Sequence, residues 1–184
     1  MISNTFRGLR RNTLAWIGTL LCAASLAPAQ AQTAAWPSKP LRVVVGFAPG
    51  GTTDVMARLI SQALSEALGQ PVLVDNKPGA SGNIAAAEVA RAAPDGHTLL
   101  IAPTSVETAN PWLFKSNLLP ARDLTPVVAV GRTAMYLVAK PQSTAHDVKE
   151  LVAQAKAAPG KMSYASSGAG TAPHLACELF KVAT

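Results

Sequence analysis

One order of features occurs twice in this sequence and constrains its fold more than any other. An apolar run is followed by a glycine-rich turn, a threonine and a helical pattern, first in VVVGFAPGGTTDVMARL (residues 43–59) and again in MSYASSGAGTAPHLACELF (residues 162–180). The apolar residues 41–47 are typical of a strand that is buried on both faces. A strand, a glycine turn and a helix make up most of a βαβ unit. We therefore predict an α/β fold with a largely parallel sheet.

The rest of the chain alternates in the same way. After the first helix, Gly69 and Pro71 mark its end, and Thr52 or Thr53 is expected to cap its start. Asp54 is interpreted as a helix-start residue rather than a ligand contact, because a carboxylate would repel an anion. Strands are predicted at residues 41–47, 72–74, 97–103, 127–130, 135–139 and 161–167, with later helices at 84–92, 111–114, 145–158 and from 173.

The N-terminal residues resemble an export signal. Arg7, Arg10 and Arg11 precede the apolar residues 13–27, a run shorter than the about 20 residues of a membrane span. Residues 29–31, Ala-Gln-Ala, form a small-x-small cleavage pattern. We predict a signal peptide over residues 1–31, cleavage after Ala31 and export to the periplasm. A twin-arginine signal and lipidation of Cys22 are less favoured alternatives, because the residues around them do not fit those patterns.

Charge and cysteine content narrow the function classes. The formal net charge of +6 includes the three leader arginines, so the exported chain carries 13 basic and 10 acidic residues. These charges are scattered, whereas nucleic-acid binding needs a clustered basic face. A mildly positive chain suits a small anionic ligand. Cys177 alone remains after cleavage, so no intramolecular disulfide is expected.

The two glycine-rich turns fit the known nucleotide-binding motifs poorly. Gly46 and Gly51 have P-loop spacing, but Thr52 stands where the phosphate-binding lysine is required. The pair Gly168 and Gly170 is followed by Pro173 instead of the third glycine of a dinucleotide-binding loop. No nucleotide or other cofactor is therefore predicted.

A serine hydrolase stays open as a less favoured alternative. Ser166 lies two residues before Gly168, but Tyr164 replaces the first glycine of a nucleophile elbow. His97, His146 and His174 are possible bases, although no carboxylate that would orient one can be located from sequence. For metal binding, His174, Cys177 and Glu178 share one helix face, but no second cluster completes a site, and no metal is predicted.

Three longer stretches resemble a known family. WPSKPLRVVVGFAPGGTTDVMAR, NKPGASGNIAAAEVARAAPDGHTLLIA and VKELVAQAKAAPGKMSYASSGAGTAPHLACELF are similar, in this order, to the Bug family of periplasmic solute-binding receptors of tripartite tricarboxylate transporters. The resemblance covers residues 36–180. It implies a two-lobed clamshell of the type II periplasmic binding-protein class and a small carboxylate ligand. It also implies no catalysis, a monomer, and the membrane components of such a transporter as partners.

The resemblance also implies where a carboxylate binds. The two glycine-rich turns would hold it together, and two residues after the third strand would join them. Carried over to this sequence, the expected ligand-binding residues are Phe47, Ala48, Pro49, Gly50, Gly51, Thr52, Thr104, Ser105, Ser166, Ser167, Gly168, Gly170, Thr171 and His174.

Members of the family extend well beyond the position of Thr184, so the resemblance implies a chain that stops inside the second lobe. The expected organisation is a signal peptide at residues 1–31, a first lobe at 32–138 and the start of a truncated second lobe at 139–184. An alternative to a working receptor is therefore a degenerate, truncated fragment that binds no ligand.

Overall fold

The structure is a computed structural model that describes residues 35–184, so the predicted signal peptide lies outside the described residues. Its sheet has three parallel strands: β1 (Leu41–Val45), β2 (Val72–Asn76) and β3 (Thr98–Ile101). Their order is β2-β1-β3, and Val43 of β1 lies opposite Val74 on one side and Leu99 on the other. The sequence prediction of an α/β fold with a parallel sheet is confirmed.

Helices follow the strands, and two more occur in the later part of the chain. The bounds are α1 (Thr52–Leu68), α2 (Asn83–Ala90), α3 (Ser105–Thr108), α4 (Asn110–Leu113), α5 (Pro120–Asp123), α6 (Val148–Ala157) and α7 (Ala172–Ala183), with a 3₁₀ turn (Ala80–Gly82) before α2. Among residues 35–184, no helix has the length and apolar character needed to span a bilayer.

The core is built around β1, because this strand lies in the middle of the sheet. Val43 and Val45 are buried against Ala57 of α1. Successive side chains of a strand point to opposite faces, so the fully buried Val44 lies on the other face. The buried Ala85 of α2 is also part of the core. The prediction that β1 is covered on both faces is confirmed.

The start of α1 differs from the prediction, whereas its end agrees with it. Gly51, and neither Thr52 nor Thr53, is the N-cap, and no side chain caps this position. The carboxylate of Asp54 instead reaches back to the Gly50 N–H. At the C-terminal end, Gly69 adopts the left-handed conformation (φ 64°), which glycine accepts without steric cost.

The predicted strands at residues 127–130, 135–139 and 161–167 are wrong, because these segments are not in strands. Their side chains are open to solvent, with Val128 74%, Tyr136 84% and Val138 82% exposed. An apolar run can form a strand only when another strand provides hydrogen-bonding partners, and no described strand lies beside these segments. Helix α6 also begins three residues later than predicted, since Asp147 caps it by accepting a hydrogen bond from the Glu150 N–H at 2.8 Å.

Candidate functional site

The first glycine-rich turn leads from β1 to α1 and touches the loop before α2. A Cβ atom built on Gly46 would lie only 2.5 Å from the Cα of Gly82, so the two backbones approach closely at this point. Farther along the turn, Gly50 has a φ of 83°, a conformation that favours glycine. Both glycines are therefore required by the path of the backbone.

Asp54 organises this turn from the inside. It is 2% exposed, and its carboxylate accepts hydrogen bonds from Arg58 Nε at 3.0 Å, Gly50 N at 2.8 Å and Asn76 Nδ2 at 2.9 Å. Hydrogen bonds from these three donors lower the pKa of Asp54 to about 2, and the bond from Arg58 makes the largest contribution. Asn76 Nδ2 also donates to the Phe47 carbonyl at 3.0 Å and so ties the turn to the end of β2. The interpretation of Asp54 as a helix-start residue is consistent with this network.

The second glycine-rich turn precedes α7 and is held by its own hydroxyl groups. Thr171 is 3% exposed, and its hydroxyl donates to the Gly168 carbonyl at 2.6 Å. The Gly168 N–H donates to the Ser166 hydroxyl at 3.3 Å. Gly168 and Gly170 have φ values of 123° and 82°, which are accessible mainly to glycine. Local bonds thus fix the shape of this turn.

His174 lies in the first turn of α7 and faces back onto the second turn. Its Nδ1 accepts a hydrogen bond from the Gly170 N–H at 3.2 Å, which places the proton of a neutral ring on Nε2. The ring also packs on Tyr164, whose hydroxyl donates to Glu178 at 2.5 Å. This hydrogen bond and burial raise the pKa of Tyr164 to about 12. The hydrogen bond that the structure gives His174 therefore joins it to a backbone amide and not to a serine nucleophile.

A third loop, which connects β2 to α2, reaches the same region. Four consecutive residues of it have positive φ: Gly79 (136°), Ala80 (45°), Ser81 (52°) and Gly82 (92°). The Ser81 hydroxyl donates to the carbonyl of Ala169 in the second turn. The left-handed conformation is costly for Ala80 and Ser81, and such strain persists only where surrounding contacts impose it.

The three loops, together with Phe114, line one cavity of about 470 Å³ that is open to solvent; its residues are 46–48, 78–81, 114 and 167–169. Phe47 and Ala48 from the first turn and Ser167 and Gly168 from the second line the same space. The lining contains no acidic and no basic side chain. Backbone groups and the hydroxyls of two serines are therefore its polar contacts.

The other ten sequence-predicted site residues are not part of the cavity lining. Gly50 uses its N–H for Asp54, and Ser105, 5% exposed, is buried at the start of α3. Gly170 packs against Asn110, because a Cβ built on Gly170 would lie 2.9 Å from Asn110 Oδ1. The full set outside the lining is Pro49, Gly50, Gly51, Thr52, Thr104, Ser105, Ser166, Gly170, Thr171 and His174.

The third loop was not among the site residues predicted from the sequence. Residues 78–81 line the cavity, although the prediction left them between a strand at 72–74 and a helix at 84–92. A signal was present: Gly79 and Gly82 stand between a strand and a helix, which is the order of features that marked the other two turns. Phe114, which directly follows α4, carried no comparable signal.

Metal binding finds no support in the part of the chain that the structure describes. No group of three or more histidine, cysteine, aspartate or glutamate side chains is positioned to hold an ion within residues 35–184. Glu178, one of the three residues considered from sequence, binds Lys181 at 2.8 Å and Tyr164 at 2.5 Å instead.

A family model described as "Tripartite tricarboxylate transporter family receptor" matches residues 56–184. Among curated proteins, BugT of Bordetella pertussis is 39% identical over 178 residues, which cover 93% of this chain and 53% of BugT. The chain spans about half the length of the curated relatives that it matches.

Three solved structures are also similar to this chain, each over about half of its own length. An adipate-bound protein of Rhodopseudomonas palustris, Rpa4515, is 38% identical with a TM-score of 0.76, over 79% of this chain and 49% of that one. Malate-bound MatC from the same organism is 36% identical with a TM-score of 0.74, over 80% and 50%. The periplasmic binding protein BugD is 32% identical with a TM-score of 0.67, again over 80% and 50%.

Proposed function

Because the chain belongs to the tripartite tricarboxylate transporter receptor family, we propose that it is a periplasmic receptor that holds a small carboxylate and releases it unchanged. The family is one of solute-binding receptors and not of enzymes. The α/β fold of the described residues is part of the periplasmic binding-protein fold, as the solved relatives have it. The ligand, the compartment and the transporter are the parts that we propose for this chain.

The observation that carries the proposal is the cavity shared by the two glycine-rich turns. Phe47 and Ala48 approach it from the turn before α1, and Ser167 and Gly168 approach it from the turn before α7. The N-terminus of a helix carries about half a positive charge and favours anions. A space of about 470 Å³ is ample for a small dicarboxylate.

The energetics of such a site are adequate without a metal or a lysine. A hydrogen bond to a charged group contributes about 1.5–3 kcal/mol, and each helix N-terminus adds about 0.3–1 kcal/mol. Four such bonds alone would give about 6–12 kcal/mol before ordering costs. Micromolar affinity needs about 8 kcal/mol. Backbone amides and serine hydroxyls are therefore sufficient donors.

Relatives support a carboxylate as the ligand class, since Rpa4515 was solved with adipate and MatC with malate. Relatives also support the compartment, because BugD is a periplasmic binding protein. We propose that residues 1–31 direct export and are removed after Ala31. Residues 32–138 would then belong to the first lobe, residues 139–184 to the second, and membrane components of a tripartite tricarboxylate transporter would receive the ligand.

Isothermal titration calorimetry with succinate, malate, adipate, citrate, aspartate and glutamate tests the proposal. At least one of them should bind with micromolar affinity, and Ser167→Ala, which removes a hydroxyl from the cavity lining, should weaken it. Ser163→Ala lies in the same segment but outside the lining, so it is the matched control. A folded sample that gives no heat with any of the six would contradict the proposal. Labelling of Ser166 or Ser167 by a phosphonate probe would favour the serine hydrolase instead.

A further inference from the structure

Ser81 and Ala169 place a hydrogen-bond donor beside an acceptor in the wall of the cavity. The Ser81 hydroxyl donates to the Ala169 carbonyl, and both residues line the cavity. The bond joins the third loop to the second turn, across 88 positions in sequence, and it is exposed rather than buried. A ligand in the cavity can therefore reach both of its atoms.

Asn110 fixes the position of Ser81. The Asn110 side chain is 1% exposed, and its Nδ2 donates to the Ser81 carbonyl at 3.0 Å and to Asn83 Oδ1 at 2.9 Å. Its Oδ1 is buried with no hydrogen-bond partner among the described residues. These bonds hold Ser81 in its left-handed conformation (φ 52°), which a serine rarely adopts unaided. The hydroxyl is thus kept at the cavity at a cost in backbone strain.

We infer that Ser81 and Ala169 together bind the ligand carboxylate and the group on the neighbouring carbon. They thereby select carboxylates that carry a hydroxyl or ammonium group on that carbon. This inference rests on the proposed carboxylate-binding function. The carboxylate accepts the Ser81 hydroxyl hydrogen, and the adjacent group of the ligand donates to the Ala169 carbonyl.

The selection follows from the number of hydrogen bonds that each ligand can make. A carboxylate is a stronger acceptor than a neutral carbonyl, so it competes well with Ala169 for the Ser81 hydroxyl. A plain carboxylate then leaves the Ala169 carbonyl without its donor and facing a negative charge. A ligand with a neighbouring donor replaces the single Ser81–Ala169 bond by two bonds to itself.

Malate and succinate are matched probes, because they differ by one hydroxyl group next to a carboxylate. Calorimetry on the unchanged chain should show malate binding about fivefold more tightly than succinate, the effect of one hydrogen bond. Ser81→Ala should weaken malate binding by about five- to tenfold. Ser81→Gly removes the same hydroxyl and accepts a φ of 52° without strain, so it tests the hydroxyl if the alanine variant folds poorly. Ser143→Ala, outside the cavity lining, should bind malate as the unchanged chain does.

Equal affinity of the unchanged chain for malate and succinate would overturn this inference and leave the receptor function standing. The same holds if Ser81→Gly, with a thermal melt like that of the unchanged chain, keeps full affinity for malate. If the unchanged chain binds neither these two acids nor any other member of the carboxylate panel, both the inference and the proposed function are overturned.

Discussion

The carboxylate of Asp54 accepts a hydrogen bond from the Gly50 N–H at 2.8 Å and thereby folds the first glycine-rich turn back onto α1. Arg58 Nε, at 3.0 Å from the same carboxylate oxygen, supplies a compensating charge. An acidic side chain can therefore lie beside a proposed anion site, because the protein's own donors satisfy it. Asp54 shapes the turn, and the Gly50 N–H is occupied in doing so.

Protonation of Asp54 should cost stability in a defined pH range. Its pKa is about 2 in the folded chain, against an ordinary value of 3.8, because of the hydrogen bonds from Arg58, Gly50 and Asn76. The unfolded chain therefore binds the proton first, and stability is lost as the pH falls from about 4 towards about 2. Urea unfolding from pH 2 to pH 5 should show this fall, with a shallower slope for Asp54→Asn.

Asp95, in another part of the fold, also contributes to the loss of stability at low pH. Hydrogen bonds from Lys39 and the His97 N–H lower its pKa to about 2. Asp95→Asn should therefore remove a second portion of the pH dependence, independently of the first turn. If the unfolding free energy of Asp54→Asn depends on pH as steeply as that of the unchanged chain, the assigned pKa shift of Asp54 is contradicted.

Gly46→Ala should destabilise the chain, since the new Cβ would lie 2.5 Å from the Cα of Gly82, a backbone atom that cannot easily move aside. A cost of about 1–3 kcal/mol is typical of such overpacking. Gly51→Ala is the matched control: Gly51 has a φ of −75°, and its Cβ would meet the Ala48 carbonyl at an ordinary 3.5 Å. Urea denaturation followed by circular dichroism should show that Gly46→Ala is much less stable than Gly51→Ala. Equal stabilities would argue against the close approach of the two loops.

Asn110→Ala should cost about 2 kcal/mol of unfolding free energy, because the carbonyl of Ser81 and the side-chain oxygen of Asn83 lose their donor. Asn110→Asp should be worse, since it sets a carboxylate against those two acceptors. Ser61→Ala is a control for polar truncation in the core: Ser61 is 3% exposed, and its Oγ has no partner among the described residues. The denaturation midpoint of Ser61→Ala should equal or exceed that of the unchanged chain, because alanine also favours the helix. The prediction fails if Asn110→Ala is no less stable than Ser61→Ala.

Two valines from apolar runs of similar appearance should behave differently when they are shortened. Val44→Ala opens a cavity at a fully buried position of β1 and should cost about 2 kcal/mol. Val128→Ala, at a position that is 74% exposed, should change stability by less than about 0.5 kcal/mol. Thermal unfolding measures both. A large loss for Val128→Ala would show that residues 127–130 pack against other protein groups in solution.

The same two valines show what can and cannot be predicted from the sequence. The run around Val44 is followed at once by a glycine turn and a helix that covers it, so local order predicts both the strand and its burial. The run around Val128 has the same composition, but a strand also needs a partner distant in sequence. A single sequence does not show whether that partner is present.

The candidate site also has a part that could be predicted from the sequence and a part that could not. Glycine spacing predicted the two turns, because backbone conformations with positive φ favour glycine. The left-handed conformation of Ser81 was not predictable, since the residue that bonds its carbonyl, Asn110, lies almost 30 positions away in sequence. Gly50 was expected among the ligand-binding residues, but its N–H is taken by Asp54, which lies four residues farther along the chain.

An amide-resolved NMR titration of the chain with malate tests most directly whether both turns bind one ligand. Binding in a shared cavity predicts that the amide signals of Phe47 and Ala48, in the first turn, and of Ser167 and Gly168, in the second, move together and fit one dissociation constant. Shifts confined to one turn, or a saturable site elsewhere with these four signals unchanged, would contradict a common carboxylate site.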